Sequence, residues 1–252
     1  MDYFWKQQDD IPKGMGYPLF GPAHLISVAV TLVMVLFISL GFKRLSENRQ
    51  KLTLKIIPIL MVMLETWKDV FLLSVHRFGI GYLPLHICSI GIFVFLLREF
   101  LPFEKTKAFF GEIAFVLIMP ASLFALFDAD WTYLYPVWNF INLHSYIWHG
   151  LLVLYPVLLM VKGEIAPTVR HLHWVLFFLC VIVPPIYFFD KHFRCNYLFV
   201  NWPIPNSPLS FFATYMGNPG YLVGYAGLTV GVLSGMYLFI EILKIGVRSE
   251  DK

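Results

Sequence analysis

Residues 20–42 read FGPAHLISVAVTLVMVLFISLGF, and this stretch decides the fold class. It contains no Asp, Glu, Lys or Arg, and His24 near its start is its one ionisable residue. An α-helix needs about 20 consecutive apolar residues to cross the roughly 30 Å of hydrocarbon in a bilayer. The stretch therefore predicts a membrane-spanning helix.

The composition of the whole chain agrees with this prediction. Of its 252 residues, 58% are apolar and 14% are charged, whereas a soluble domain is about 45–50% apolar and about 25% charged. Strands of a membrane barrel alternate over about 10 residues, so long and uniformly apolar blocks predict helices instead. We predict an all-α, polytopic membrane helix bundle, forming a single domain over residues 1–252. The seven predicted spans are 20–42, 53–76, 82–101, 107–127, 134–161, 172–189 and 219–244.

The distribution of Lys and Arg predicts the orientation, because these residues accumulate on the cytoplasmic side of spans. With seven spans and the N-terminus outside, most basic residues lie on the inner side and few on the outer side. An even number of spans would place both termini on one side and mix the two groups. We therefore predict an outer N-terminal segment 1–19, an outer loop 190–218 and a cytoplasmic C-terminus.

Several other classes of protein are disfavoured by the sequence. The first 17 residues have no apolar core and do not predict a cleavable signal peptide, so the first span is expected to act as the targeting signal. The basic residues lie where topology needs them, which argues against a nucleic-acid partner. Cys88, Cys180 and Cys195 show no pairing pattern, and no HExxH or CxxC motif is present. We expect no disulfide framework, no metal and no cofactor.

Polar side chains inside the predicted spans indicate a functional site. Each ionisable group in hydrocarbon costs several kcal/mol unless it is paired or faces a cavity. At about 1.5 Å per residue along a helix, the polar residues of four spans fall in the outer half of the bilayer. They predict one polar layer that opens toward the outer leaflet. These residues are His24 in span 1, Glu65, Lys68 and Asp69 in span 2, His86 and Cys88 in span 3, and Asn139, Asn142, His144 and His149 in span 5.

The charged triplet of span 2 has two interpretations. Glu65 precedes Lys68 by three residues and Asp69 by four, so all three share one helix face and the lysine can neutralise a carboxylate. The triplet is then either a buried structural ion pair or a group that orients a histidine from another helix, as carboxylates do in catalytic triads.

In span 5, Asn142 and His149 lie seven residues apart on one face, whereas His144 points about 140° away in an ideal helix. We therefore favour His149 as the inward-facing histidine. In span 3, Pro84 suits the first turn of a helix, and His86 and Cys88 then point about 200° apart unless the entry is unwound. Cys88 is either a nucleophile activated by a histidine or a small apolar side chain.

Four stretches together resemble the YwaF-like family of bacterial multi-spanning membrane proteins. They are FGPAHL (20–25), LPLHICSIGIF (83–93), NFINLHSYIWHG (139–150) and CNYLFVNWPIPNSPLSFFATYMGNPGYL (195–222). The resemblance extends from about residue 18 to 240 and implies a multi-pass protein of a bacterial plasma membrane. That family is in turn similar to a eukaryotic transmembrane enzyme that moves polyunsaturated acyl chains between phospholipids through a Cys and a His. The resemblance thus implies an acyl-transfer site near one leaflet.

The leading functional hypothesis is a lipid-remodelling acyltransferase with membrane phospholipid as its partner. Cys88 would attack an ester carbonyl, and His149 or His144 would act as base and then as acid. His86, or Lys68 with Asp69, would orient groups or stabilise the developing oxyanion. The alternative is a transporter or receptor-like protein that binds a small ligand with the same polar residues. A structural partner of another membrane protein is a third interpretation.

Overall fold

The computed structural model describes residues 2–250, and within that range every regular element is helical. The all-α prediction is therefore confirmed for the described part of the chain. One π-helical turn spans Ala114–Ile118. The eight α-helices are α1 Pro22–Lys43, α2 Glu47–Ser74, α3 Ile87–Phe100, α4 Glu104–Ile113 continuing after the π turn as Met119–Phe127, α5 Phe140–Lys162, α6 Leu172–Phe193, α7 Pro208–Met216 and α8 Tyr221–Glu250.

Five of these helices are long and apolar enough to cross a membrane: α1, α4, α5, α6 and α8. Helix α2 is long but contains the charged triplet. Helix α3 has 14 residues and rises about 21 Å, less than the roughly 30 Å of a hydrocarbon core. Multiple helices able to span a membrane are thus present, while the count of seven and the orientation of the termini stay predictions.

Two predicted helix starts are wrong for local reasons. The third helix begins at Ile87 rather than at residue 82, because Pro84 lies in a turn closed by the Leu85 N–H on the Leu83 carbonyl at 2.8 Å. The fifth helix begins at Phe140 rather than at residue 134, because the Asn139 side chain caps it. Asn before an apolar run is a typical N-cap signal.

Contacts divide the chain into two compact units. The first contains the residues up to Tyr82 together with Gly91–Ile165, and the second contains Leu83–Ile90 together with the residues from Ala166 onward. The prediction of a single domain is not tested by this division.

Helix α5 is the centre of the first unit, where it packs against α1, α2 and α4. Gly91 of α3 allows a close approach, since a side chain there would meet Leu152 of α5 at 2.5 Å. One turn further along each helix, the rings of Phe95 and Tyr155 stack with centroids 4.0 Å apart. The chain therefore places its polar α5 residues inside a well-packed bundle.

Residues 3–17, which we call the N-terminal strap, pack onto the first unit. The strap's Trp5 ring lies 4.9 Å from the Phe140 ring and 5.7 Å from the Phe71 ring. The Asn139 amide donates hydrogen bonds to the carbonyls of Tyr3 at 2.7 Å and Lys6 at 2.8 Å. Within the predicted outer segment 1–19, the strap is thus an ordered segment that covers α2 and α5.

In the second unit, α8 packs against α6 and α7. The Tyr221 hydroxyl donates to the Phe199 carbonyl at 2.8 Å, which ties the start of α8 to the loop after α6. The predicted outer loop 190–218 is only partly a loop, because α6 continues to Phe193 and α7 forms within it. Asp190 therefore belongs to the last turn of α6.

We expect Asn139→Ala to release the strap and weaken the first unit. The substitution removes a helix cap, worth about 1 kcal/mol, and two amide-to-carbonyl bonds of about 1 kcal/mol each, so the free energy of unfolding should fall by about 2–4 kcal/mol. Unfolding in detergent measures this change, and trypsin should cut faster after Lys6. The exposed Asn48 gives the matched control, Asn48→Ala. Unchanged trypsin cleavage of the strap would contradict this account of its anchoring.

Candidate functional site

Helices α2 and α5 bring four ionisable side chains together, which we call the charged cluster: Glu65, Lys68, Asp69 and His144. The Lys68 ammonium lies 2.6 Å from Glu65 Oε1 and 3.3 Å from Asp69 Oδ1. The second oxygen of Glu65 lies 4.0 Å from His144 Nε2, and the His144 side chain is 7% exposed. That separation is too long for a hydrogen bond but places the carboxylate opposite the ring. The ion pairs of Lys68 are thus present, while an orienting role of the triplet toward a histidine stays a prediction.

Other side chains enclose the charged cluster. The Lys68 ammonium lies 5.8 Å from the centre of the Tyr82 ring, and Tyr82 accepts a hydrogen bond from the strap residue Gln7 at 3.2 Å. The Phe140 ring, which the strap covers, lies 6.1 Å from the His144 ring. The strap therefore contacts two of the residues that enclose this cluster.

His149 lies on another face of α5, in a fixed tautomer. Its Nδ1 is 2.7 Å from the Ser145 carbonyl oxygen. Because a carbonyl can only accept, Nδ1 carries the proton, and the neutral ring keeps a lone pair on Nε2. The Trp131 ring stacks on it at 5.3 Å and nearly parallel. His149 is therefore an oriented group able to accept a proton, while His144 is the more buried histidine and the one that meets Glu65.

The three other predicted polar residues of this unit hold the backbone in place. His24 Nδ1 accepts from the Phe20 N–H at 3.0 Å, and its Nε2–H donates to the Leu126 carbonyl at 2.9 Å. Asn142 accepts from the Tyr17 hydroxyl and donates to the Val137 carbonyl, both at 2.9 Å. Asn139 caps α5 and anchors the strap. These contacts support a structural role for all three.

Cys88 is the second residue of α3, and His86 immediately precedes the helix. The His86 carbonyl accepts the first helical hydrogen bond, from the Ile90 N–H at 2.9 Å. Since the entry is not helical, the ideal-helix separation of about 200° between His86 and Cys88 does not apply. The His86 ring lies 4.7 Å from the Tyr197 ring, and the Cys88 side chain is half-buried. A helix N-terminus favours negative charge, and the thiolate is the reactive form of cysteine.

The predicted site residues are therefore distributed over both units. His86 and Cys88 lie in the second unit, and the charged cluster and His149 lie in the first. Pairing of Cys88 with a histidine of α5 stays a prediction. Among residues 2–250, no group of three or more His, Cys, Asp or Glu side chains could hold a metal ion.

A family model described as the TMEM164 family matches residues 19–237, from before α1 to within α8. The chain belongs to the TMEM164 family. No curated protein matches it, and no solved structure does.

Membership of the TMEM164 family, together with the five apolar helices, identifies a multi-pass membrane protein. This confirms the coarse part of the predicted class and location. The match gives no support to the YwaF-like resemblance or to similarity with an acyltransferase. The bacterial plasma membrane, likewise, stays a prediction.

A buried ionic network at the end of α3 was not predicted from the sequence. The Arg98 guanidinium is 3% exposed and donates to Glu99 and to Glu164, both at 2.6 Å. The Tyr155 hydroxyl also donates to Glu99 at 2.6 Å. An Arg at the end of an apolar helix indicates only which side of the membrane that end faces. The sequence therefore gives no sign that Arg98 is buried. The network links the ends of α3 and α5 in the TMEM164-family chain.

Asp190 was also not predicted from the sequence. It is fully buried, and neither carboxylate oxygen accepts a hydrogen bond from an N–H or O–H group of the described residues. The Cys195 thiol lies nearby, and burial together with the Asp190 carboxylate raises the pKa of that thiol to about 11. Cys195 is therefore a neutral thiol at physiological pH.

The Arg98 network predicts a pH-dependent stability. Burial opposes the charge of Glu164, but hydrogen bonds from Lys162 and Arg98 outweigh it and hold the pKa of the carboxyl below its ordinary value. The stabilisation is thus present above about pH 4.3 and is lost as the pH falls through the lowered pKa. Glu164→Gln should lower the free energy of unfolding by about 1–3 kcal/mol at pH 7, and this deficit should be smaller near pH 3.

Unfolding titrations in detergent at both pH values measure this effect. Glu104→Gln is the matched control, because Glu104 pairs with Lys107 on the surface. A Glu164→Gln deficit that stays the same at both pH values would contradict the electrostatic origin of the stabilisation.

Proposed function

We propose that this TMEM164-family protein transfers acyl chains between membrane phospholipids, with Cys88 as the nucleophile. The observation that carries the proposal is the position of Cys88 in the first turn of α3, directly after the Pro84 turn. There the dipole of the helix start favours a thiolate, which is the form that attacks an ester. A buried structural cysteine needs no such position.

The proposed base is His149. A base needs a neutral ring, a free lone pair and a fixed orientation, and the Ser145 carbonyl and the Trp131 ring support all three. His144 is a less suitable base, because its Nε2 faces the Glu65 carboxylate. Lys68 already interacts with Glu65 and Asp69, which favours an orienting role for the charged cluster over direct contact with an oxyanion.

The chemistry follows the usual course of thiol-mediated acyl transfer. The Cys88 proton moves to the histidine base as Sγ bonds to the ester carbonyl carbon of a phospholipid. The acyl C–O bond then breaks, and the leaving lysophospholipid oxygen takes the proton from that base. In the second half, the hydroxyl of another lysophospholipid gives its proton to the base and attacks the thioester. The S–C bond breaks, and the proton returns to Cys88.

Acyl exchange in proteoliposomes tests this function. With an isotope-labelled phospholipid and an unlabelled lysophospholipid, Cys88→Ala and His149→Ala should each reduce the exchange rate by at least about 100-fold. The matched controls are Cys180→Ala and His173→Ala, since both side chains are exposed on α6. Exchange that survives in the Cys88→Ala protein would refute the proposal.

A second candidate function is the binding or transport of a small polar solute. The charged cluster favours it, because ionisable groups that interact inside a helix bundle are typical of solute and proton pathways. This function predicts solute uptake into proteoliposomes that Glu65→Gln abolishes and Cys88→Ala leaves intact. The opposite result is that only Cys88→Ala causes a loss, and that the activity lost is acyl exchange rather than solute uptake. This result would exclude the solute function.

A further inference from the structure

The end of α2 fixes the backbone of an arginine beside the strap. His76 has a positive φ of 54°, and its N–H donates to the Leu73 carbonyl at 3.1 Å. The next N–H, that of Arg77, donates to the Leu72 carbonyl at 2.8 Å. These two bonds form the Schellman ending of a helix, which sets the direction of the chain as it leaves the helix. The Arg77 backbone is thus anchored to α2.

The Arg77 guanidinium pairs with two successive carboxylates of the strap. One of its terminal nitrogens lies 3.2 Å from Asp9 Oδ2, and the other lies 3.2 Å from Asp10 Oδ1. The donors of a guanidinium form a rigid fork, so one arginine can bind both carboxylates at once. The three side chains are between 38% and 55% exposed. Exposed ion pairs are weak and are screened by salt, so this attachment can break without unfolding the bundle.

Gln7 connects these ion pairs to the charged cluster. Its side-chain oxygen accepts from the Asp9 N–H at 2.9 Å, and its amide donates to the Tyr82 hydroxyl at 3.2 Å. The Tyr82 ring in turn lies 5.8 Å from the Lys68 ammonium. Gln7 is 3% exposed, so this side chain is enclosed together with the ring that it holds. One buried amide therefore couples the position of Asp9 to the residue that covers Lys68.

The strap has a separate anchor on each side of residues 7–10. Before them, the Asn139 amide donates to two strap carbonyls. After them, Ile11 is 7% exposed and belongs to the same apolar cluster as Phe71. Residues 8–10 lie between these anchors and are exposed. This short turn can therefore move away from α2 while the rest of the strap stays in place.

We propose that residues 7–10 are a gate for the charged cluster, and that the two ion pairs of Arg77 hold this gate closed. With the pairs formed, Gln7 keeps Tyr82 over Lys68. When the pairs break, the turn moves off Tyr82, and water and small polar solutes reach the charged cluster. The gate is built from the strap and α2 alone, so it does not depend on the proposed acyl transfer.

Acetylation of Lys68 measures whether the gate is open. The full-length protein in detergent is treated briefly with sulfo-N-hydroxysuccinimidyl acetate, a water-soluble amine reagent, and mass spectrometry follows each lysine-containing peptide. Arg77→Ala should raise the acetylation rate of Lys68 by about fivefold, because it removes both ion pairs. The double variant Asp9→Asn/Asp10→Asn should give the same increase. Combining it with Arg77→Ala should add nothing, since all three substitutions remove the same contacts.

Salt tests the electrostatic origin of the closed state. Raising the NaCl concentration from about 0.05 M to about 1 M shortens the Debye length to about 3 Å and screens exposed pairs far more than buried ones. The unmodified protein should then acetylate at Lys68 about as fast as Arg77→Ala does. The Arg77→Ala protein, whose gate is already open, should not respond to the added salt.

Two controls separate opening of the gate from loss of structure. Lys162 matches Lys68, because its side chain is 10% exposed against 12% and it also pairs with a glutamate. Its acetylation rate should stay unchanged in every variant and at both salt concentrations. Arg49 is an exposed arginine of α2, and Arg49→Ala should leave the rate at Lys68 unchanged.

Three results would overturn the proposal. The first is an unchanged Lys68 rate in Arg77→Ala, and the second is an unmodified protein that does not respond to salt. The third is a parallel increase at Lys162, which would show that the first unit loosens as a whole. Absence of acyl exchange would refute the proposed function and leave the acetylation result unaffected.

Discussion

Hydrocarbon provides no hydrogen bonds, so a polar group inside a membrane helix bundle must find its partner in the protein itself. This constraint organises the described part of the chain. His24 and Asn139 each form hydrogen bonds through both polar atoms of the side chain, and each residue thereby fixes one segment of backbone to another. Where a partner is incomplete, as for Asp190, the structure retains an unfavourable group that packing alone does not explain.

The strap follows from the same constraint. The carbonyls of Tyr3 and Lys6 are not part of a helix, and a polar backbone next to an apolar bundle needs donors. The Asn139 amide provides them, while its oxygen caps α5. One amide side chain thus satisfies the start of α5 and attaches the segment that covers Phe140. The aromatic contacts of Trp5 then bury apolar surface that would otherwise remain open.

Helix positions could be predicted from the sequence because a long apolar run in this class of protein has one stable conformation. Helix starts could be predicted less well, although Pro84 and Asn139 are both recognisable signals in hindsight. The spacing of Glu65 and Lys68 predicted their ion pair, because both lie on one helix face. Which histidine of α5 meets that pair depends on the rotation of α5 against α2, and a single sequence does not contain this angle.

Asp190 shows the same limit at a loop. A charged residue at the end of an apolar run is normally assigned to the aqueous side, and the predicted span accordingly ended at residue 189. Its burial depends on the loop folding back, through bonds from Cys195 and Asn201 to the Asp190 carbonyl. Those bonds are tertiary, so no local pattern announces them. Arg98 is a further example, because its partner Glu164 lies 66 residues away in sequence.

The histidines show that the number of hydrogen-bonded ring nitrogens, rather than the residue type, distinguishes a structural role from a chemical one. His24 uses both ring nitrogens on backbone groups, so moving a proton would break a contact that holds α1 to α4. His149 uses only Nδ1, which fixes the tautomer and leaves Nε2 able to accept a proton without loss of the anchor. A base must change its protonation state while its position stays constant. One fixed nitrogen and one available nitrogen meet both requirements, which is why the chemistry is assigned to His149 and not to the more completely bonded His24.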